Sequence, residues 1–181
     1  MDISQFVEQS IGRWRSQRSA HHLAFRHFEA VESVIDIAMV AQTDERVLDL
    51  CKAYDVDPAV IIVPFEMSWE GQSDWDDDSP PVKGNTVLVP VPDRSGCGHG
   101  QLLREQGYAE TIPAAGQYHI TEDGTFVLVT EYDNAAAEEK IWFGTPNLRF
   151  RVSLIKSSGG TGVVTASFSS EIRDLAQADP G

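Results

Sequence analysis

The residues richest in chemical possibility lie between Lys140 and Lys156, in KIWFGTPNLRFRVSLIK. The pattern reads as two strands joined by a tight turn at Gly144-Thr145-Pro146-Asn147. Side chains alternate along a strand, so Arg149, Arg151 and Ser153 share one face, and Phe150, Val152 and Leu154 share the other. Two guanidinium groups held two residues apart on one pleat make a fork that suits carboxylates or phosphates. Taken alone, such a pair is more often a solvated face with surface glutamates as partners. Here the chain carries 28 acidic residues against 14 lysines and arginines, so a basic pair held on one pleat needs a reason. An anionic ligand at the mouth of a β-barrel supplies one.

A second group is aromatic. Alternation through IIVPFEMSWE puts Phe65, Met67 and Trp69 on one face, and Glu66, Ser68 and Glu70 on the other. Core packing explains most tryptophans, Trp14 and Trp142 among them. A Met-x-Trp pair also makes a polarisable wall for a flat conjugated ligand. Trp75 stands in SDWDDD, where core packing is a poor explanation and a lid or contact role a better one. Acids near the hairpin (Glu131, Asp133, Glu138, Glu139 and Glu171) supply surface charge, a partner for an N–H-rich ligand, or a general acid. The residues alone do not choose between these roles.

Other reactive types give weaker signals. Adjacent strand residues face opposite ways, so His21 and His22 do not ligate one metal, and His99 near Cys97 lacks further ligands; no metal site is expected. Cys51 falls on an apolar helix face. Cys97 lies in a glycine-rich loop, and a thiolate there would need a base or cation beside it. Two cysteines give no disulfide framework. The chain has no G-x-S-x-G, P-loop, strand-linked G-x-G-x-x-G or H-E-x-x-H.

The elements that position these residues are mostly strands. Residues 2 to 13 read as a helix, with Ile3, Phe6, Val7 and Ile11 on one side and an Asp2/Gln5 capping box. Residues 14 to 23 and 28 to 40 are extended, with Trp14, Ser16 and Arg18 on one face of the first. Residues 43 to 55 form a second helix, apolar at Val47, Leu48, Leu50, Cys51 and Tyr54, and ended by Asp57-Pro58. Ile61–Glu70 is extended. Residues 71 to 84 form an acidic loop. Strands follow at Thr86–Val91 and Gln101–Glu105, separated by a turn at 93 to 98. Tyr118–Thr121 and Thr125–Tyr132 flank Glu122-Asp123-Gly124, whose Asp-Gly is a hairpin signal. After the hairpin at Pro146 comes a last strand, Val163–Ile172, and a frayed tail. Ten candidate strands and two helices in meander order give a mainly β chain, an antiparallel barrel or sandwich in one domain spanning residues 1–181.

Composition excludes some classes. A net charge of -14 argues against nucleic acid and anionic membrane surfaces as partners. No stretch approaches the roughly 20 apolar residues of a membrane span. The opening MDISQFVEQ lacks the apolar core of a signal peptide, so a cytoplasmic location is expected.

The opening segment carries a more specific pattern. Trp14, Ser16, Gln17, Arg18, Ser19, His21, His22 and Leu23 stand as W-x-SQR-S-x-HHL, and in this the chain resembles the S-type (CpcS/CpeS) phycobiliprotein lyases. Phe65, Met67 and Trp69 as F-x-M-x-W, Glu138 to Trp142 as EEK-x-W, and Asn147 to Ser153 as NLR-x-R-x-S extend the likeness over nearly the whole chain. The resemblance implies a lipocalin or fatty-acid-binding-protein-like barrel of about ten antiparallel strands. It implies a substrate, phycocyanobilin or phycoerythrobilin, bound without covalent attachment and with no prosthetic group. The bilin would be handed to a cysteine of a phycobiliprotein subunit (phycocyanin, allophycocyanin or phycoerythrin) in a cyanobacterial cytosol or plastid stroma. The lyase would act as a homodimer or beside a related subunit. Arg18, Arg149, Arg151 and Ser153 would meet the propionates. Met67, Trp69 and Trp75 would meet the conjugated system. Glu138, Glu139 and Glu171 would be candidates to protonate it. A bilin carrier without catalysis, and a fatty-acid barrel, are the alternatives.

Overall fold

A computed structural model of the chain describes residues 1–73, 81–94, 96–105, 115–132, 135–157 and 162–175. Trp75 and Asp133 lie outside the described residues.

The chain starts as an amphipathic helix, α1 (Ile3–Ser10), whose N-cap Asp2 and N3 residue Gln5 close a reciprocal capping box. It stops short of the expected residue 13 because Gly12, at φ 126°, turns the backbone into a strand. Ten strands follow: β1 (Gly12–His22), β2 (His27–Met39), β3 (Phe65–Ser73), β4 (Val82–Asp93), β5 (Gly96–Arg104), β6 (Gly116–Ile120), β7 (Phe126–Tyr132), β8 (Ala135–Thr145), β9 (Leu148–Ser157) and β10 (Val163–Arg173). A second helix, α2 (Glu45–Ala53), lies between β2 and β3. Each strand pairs antiparallel with its neighbours in sequence, and β10 pairs with β1 to close the barrel. Closure leaves no free edge. The mainly β, lipocalin-like barrel with two helices is the architecture expected.

Several boundaries differ from the sequence reading. The strand expected from Ile61 begins at Phe65, since Val63 takes φ 40°, outside the strand region, and Pro64 cannot donate to a ladder. Both ends of the acidic loop expected over 71 to 84 are strand, since β3 runs on to Ser73 and β4 begins at Val82, and residues 74–80 lie outside the described residues. Of the turn expected at 93 to 98, Asp93 belongs to β4 and residues 96–98 to β5, and Ser95 lies outside the described residues. Asp57-Pro58 does not end α2; Tyr54 caps it, and the proline opens a separate 3-10 turn.

The pleat sorts side chains into two cores. Inside the barrel, Trp14, Ile35, Ile37, Phe65, Leu102, Tyr118, Phe126 and Ile141 pack with Ile3, Phe6 and Val7 of α1. Phe6 stacks on Phe126 with ring centres 4.5 Å apart, so α1 plugs the end of the barrel where β1 starts. Outside it, Val47, Leu50 and Cys51 of α2 cover Val87, Val89 and Leu103, while Leu48 stays exposed. Among the described residues no helix plugs the opposite end, where β1 ends and β2 begins, and Leu23 and Phe25 there are exposed.

Candidate functional site

The site is built from register. Across β9 and β10, Arg149 faces Glu171, Arg151 faces Ser169, and Ser153 faces Ser167. Across β8 and β9, Glu139 faces Ser153. Across β1 and β10, Ser16 faces Glu171 and Arg18 faces Ser169. All share the pleat phase of buried Trp14, so these rows line the barrel interior. That interior holds two adjoining cavities of about 360 Å³ and 410 Å³. The upper lobe, toward the open end, is lined by Arg18, Ser153, Ser167, Ser169, Glu171 and Val31. The lower lobe meets Phe6, Phe65, Leu88, Leu102, Phe126 and Arg149. Met67, Trp69, Glu139 and Arg151 line both and stand at the junction.

Charge is concentrated on one wall. Glu171 is 1% exposed; its Oε2 accepts from Arg149 Nε, and its Oε1 lies 3.3 Å from Arg151 Nε. Arg151 Nη1 reaches Glu139 Oε1 at 3.4 Å. Two arginines thus share two carboxylates. Arg149 is as buried as Glu171, and its guanidinium stacks over the Trp14 ring at 4.6 Å; Arg173 approaches the same ring at 4.3 Å. Arg149 Nη2 is buried and has no hydrogen-bond partner among the described residues. A buried donor left unpaired costs about 1–3 kcal/mol, so this wall holds a donor for an acceptor that the described residues do not supply.

The two arginines are tuned oppositely. Burial pulls the Arg149 guanidinium down, to about 10; Glu171 opposes this, and the charges of Arg151 and Arg173 add to it. Burial also pulls on Arg151, but Glu171 and Glu139 together outweigh it and hold that guanidinium above its ordinary value. Both stay cationic at neutral pH.

The aromatic wall forms at β3. Trp69 faces Ile35 on one side and Gly84 on the other. A Cβ at Gly84 would lie 2.3 Å from Trp69 Cζ2, so the indole lies flat over a position where only glycine fits. Trp142 stands on the outer face of the barrel, 5.5 Å from the Phe150 ring, away from this wall.

The structure brings Arg18, Met67, Trp69, Glu139, Arg149, Arg151, Ser153 and Glu171 to the cavities. Glu138 stands on the outer face instead, where Lys156 and Lys140 hold its carboxyl below the ordinary glutamate value. His21 packs on Phe28 with ring centres 5.2 Å apart, and His22 pairs with Glu29 at 2.9 Å, so the two histidines diverge as alternation requires. Among the described residues no group of three or more His, Cys, Asp and Glu is placed to hold a metal. Cys51 is buried and its thiol is pushed up by desolvation; Cys97 is exposed. Sequence reasoning missed Trp14 as the seat of Arg149 and the serine row of Ser16, Ser167 and Ser169. The period of two in SFSSE, phased on Glu171, was the available signal for Ser167 and Ser169.

The family model described as CpeS-like protein matches residues 2–174. The chain is 62% identical over 173 residues to "Chromophore lyase CpcS/CpeS 3" of Trichodesmium erythraeum, covering 96% of this chain and 99% of that one. It is 57% identical over 159 residues to "Putative phycoerythrobilin lyase CpeS" of Microchaete diplosiphon, covering 87% and 71%. The solved structure of the S-type phycobiliprotein lyase CPES from Guillardia theta superposes with a TM-score of 0.85 at 50% identity, over 96% of this chain and 93% of that one.

Proposed function

The chain belongs to the CpeS-like family, and from that premise we propose that it is a chromophore lyase: it binds a linear tetrapyrrole in the barrel and attaches it to a cysteine of a phycobiliprotein subunit. The observation that carries this is the paired-charge wall of Arg149, Arg151, Glu171 and Glu139 beside Trp69 and Met67, with a buried donor left open. A bilin is flat, conjugated, rich in N–H groups and doubly anionic through its propionates. Trp69 and Met67 suit its face. Glu139 and Glu171 suit the pyrrole nitrogens, favouring the protonated, more electrophilic bilin. Arg18, with Arg151 and Ser153, suits a propionate.

The chemical step adds the partner's thiol across the exocyclic ethylidene of ring A. A carbon–sulfur bond forms at the exocyclic carbon, the π pair takes a proton at the ring carbon, and the thiol proton is released; nothing else leaves. The protein's contribution is to hold one bilin conformer with that carbon toward the open end, an effect of orientation. The lyase's own cysteines take no part, since Cys51 is a buried thiol and Cys97 is outside the cavities. Changing both to serine leaves transfer intact on this reading, and loss of transfer with bilin binding retained would contradict it.

The test is co-production with phycocyanobilin synthesis and a phycobiliprotein β-subunit, followed by denaturing electrophoresis with zinc fluorescence. A covalent adduct that disappears when the acceptor cysteine is replaced supports the lyase. Bilin retained on this protein with no adduct on phycocyanin, allophycocyanin or phycoerythrin subunits would make it a carrier. Absence of bilin binding would return the barrel to the fatty-acid alternative. Parallel trials with phycoerythrobilin identify the preferred substrate.

A further inference from the structure

The polar or charged side chains buried among the described residues are Ser10, Ser16, Thr130, Arg149, Ser169 and Glu171. Arg149 and Glu171 pair with each other, and Ser10 donates to Phe6 O at 2.8 Å. The hydroxyls of Ser16, Ser169 and Thr130 make no hydrogen bond among the described residues, and all three residues line the cavities. Ser16 stands in register with Glu171, and Ser169 with Arg18 and Arg151, so charged neighbours account for both. Thr130 is placed differently. Its register neighbour on β8 is Ala137, and on the β6 side it meets Gly116, where a Cβ would lie 3.0 Å from Thr130 Oγ1. Along β7 it follows Phe126 and Leu128 on the inner phase, and all three line the lower lobe.

A row that runs Phe126, Leu128 would pack as well with a third apolar residue. Thr130 is 4% exposed, and a hydroxyl taken out of water without a partner is unfavourable. A bound molecule that brings an acceptor removes that cost. On the bilin reading, the residues common to both lobes, Met67, Trp69, Glu139 and Arg151, meet the middle of the chromophore. Its two ends then fall one in each lobe. Each end of a linear tetrapyrrole is a lactam, with one carbonyl acceptor and one N–H donor. Ring A carries the ethylidene and belongs toward the open end, which leaves ring D for the lower lobe.

We propose that Thr130 is a ligand-binding residue of the lower lobe, donating its hydroxyl to the lactam carbonyl of ring D. This rests on the bilin reading above and deepens it. The paired-charge wall holds the middle of the chromophore, whereas Thr130 holds the end remote from the reaction. A hydrogen bond there fixes which edge of ring D faces β7 and how far the chromophore enters. It thereby sets where the ethylidene of ring A stands for the incoming thiol, an effect of orientation.

The experiment is an absorbance titration of the full chain with phycocyanobilin, for wild type, Thr130→Val and Thr130→Ser. Melting temperatures are measured alongside, with infrared difference spectra of the complexes formed with phycocyanobilin carrying carbon-13 at the ring D carbonyl. Thr130→Val removes the hydroxyl at nearly constant size. It is expected to lose about fivefold or more in affinity without a lower melting temperature. The labelled C=O stretch is expected to move to higher frequency, because its hydrogen bond is gone. Thr130→Ser keeps the hydroxyl and is expected to keep both the affinity and the stretch. Wild-type affinity in Thr130→Val overturns the proposal and leaves the bilin reading intact. A loss in Thr130→Ser as large as in Thr130→Val also overturns it, assigning Thr130 to packing. An affinity loss with the labelled stretch unmoved overturns it too, since the hydroxyl would then meet another part of the bilin. Should Thr130→Val fail to fold, Thr130→Ala against Thr130→Ser reads the same contrast. Failure of wild type to bind phycocyanobilin removes the bilin reading, and this inference with it.

Discussion

The two ends of the barrel use the same residue types to different effect. At the closed end, Trp14 donates its indole N–H to Ser10 O at 2.8 Å, and Arg173 donates to the carbonyls of Gln9 and Ile11 on and beyond α1. Arg173 and Arg149 both pack on the Trp14 ring, and Glu171 neutralises Arg149. At the open end, Arg18 meets the upper lobe with no ion-pair partner among the described residues, beside the hydroxyls of Ser153, Ser167 and Ser169. Arg149 and Arg18 are the same side chain on inward-facing strand positions. Arg149 is closed in by Glu171 and Trp14, while Arg18 is exposed and has no ion-pair partner among the described residues. The lesson is that neighbours, more than residue type, decide how far the fold itself neutralises an inward-facing arginine.

The sharpest way to break this comparison is at Glu171, which belongs to both ends. Glu171→Gln leaves Arg149 buried without its counter-charge, a change that costs roughly 3–5 kcal/mol. The melting temperature is expected to fall by about 10 °C in calorimetry. Bilin attachment is expected to fall by about 100-fold or more at a temperature where the variant is still folded. A variant with wild-type melting would show that Arg149 does not depend on Glu171. Phe6→Ala tests the closed end. It removes the ring stacked on Phe126, at a cost of about 3 kcal/mol, and it enlarges the lower lobe that Phe6 lines, so melting is expected to fall more than bilin affinity. Gly84→Ala tests the junction. The added methyl meets the Trp69 indole, so bilin affinity is expected to drop about tenfold, read by absorbance titration. Arg18→Gln tests the open end. Stability should change by less than about 0.5 kcal/mol, while bilin affinity falls about tenfold.

Much of this was legible in the sequence because strands obey a period of two. Alternation placed Arg149, Arg151 and Ser153 on one face, Trp14, Ser16 and Arg18 on another, and Phe65, Met67 and Trp69 on a third, and closure turned all three faces inward. The capping box at Asp2 and Gln5 was readable from spacing. The state of the arginine fork was not. Its carboxylates come from Glu171, 22 residues away on β10, and from Glu139 on β8, and such pairings depend on register across strands. The strand start at Phe65 was hidden because IIVPF is apolar and β-branched, and only the left-handed Val63 reveals the break. Trp14 looked like ordinary core; that it holds two guanidinium groups follows from packing, on which periodicity is silent.

The smallest expected effect comes from neighbouring carboxylates on one strand. Glu138 and Glu139 are adjacent in β8 and face opposite ways, Glu138 toward Lys156 at 2.7 Å and Lys140 at 3.1 Å, Glu139 toward Arg151. Lys156 and Lys140 depress the Glu138 carboxyl, so its contribution to stability is present above the unfolded value and is lost as pH falls through the lower, folded one. That contribution is under about 1 kcal/mol for a half-exposed pair. Glu138→Gln should therefore melt within a few degrees of wild type at pH 7, and the two curves should converge as pH falls below about 4. Its attachment rate should equal wild type. Glu139→Gln should instead lose attachment by about tenfold or more with little change in melting, because Glu171 still faces Arg151. If the two variants exchanged behaviour, with Glu138→Gln inactive and Glu139→Gln active, the inward and outward faces of β8 would be the wrong way round for the chemistry, and the paired-charge wall would lose its place at the centre of the mechanism.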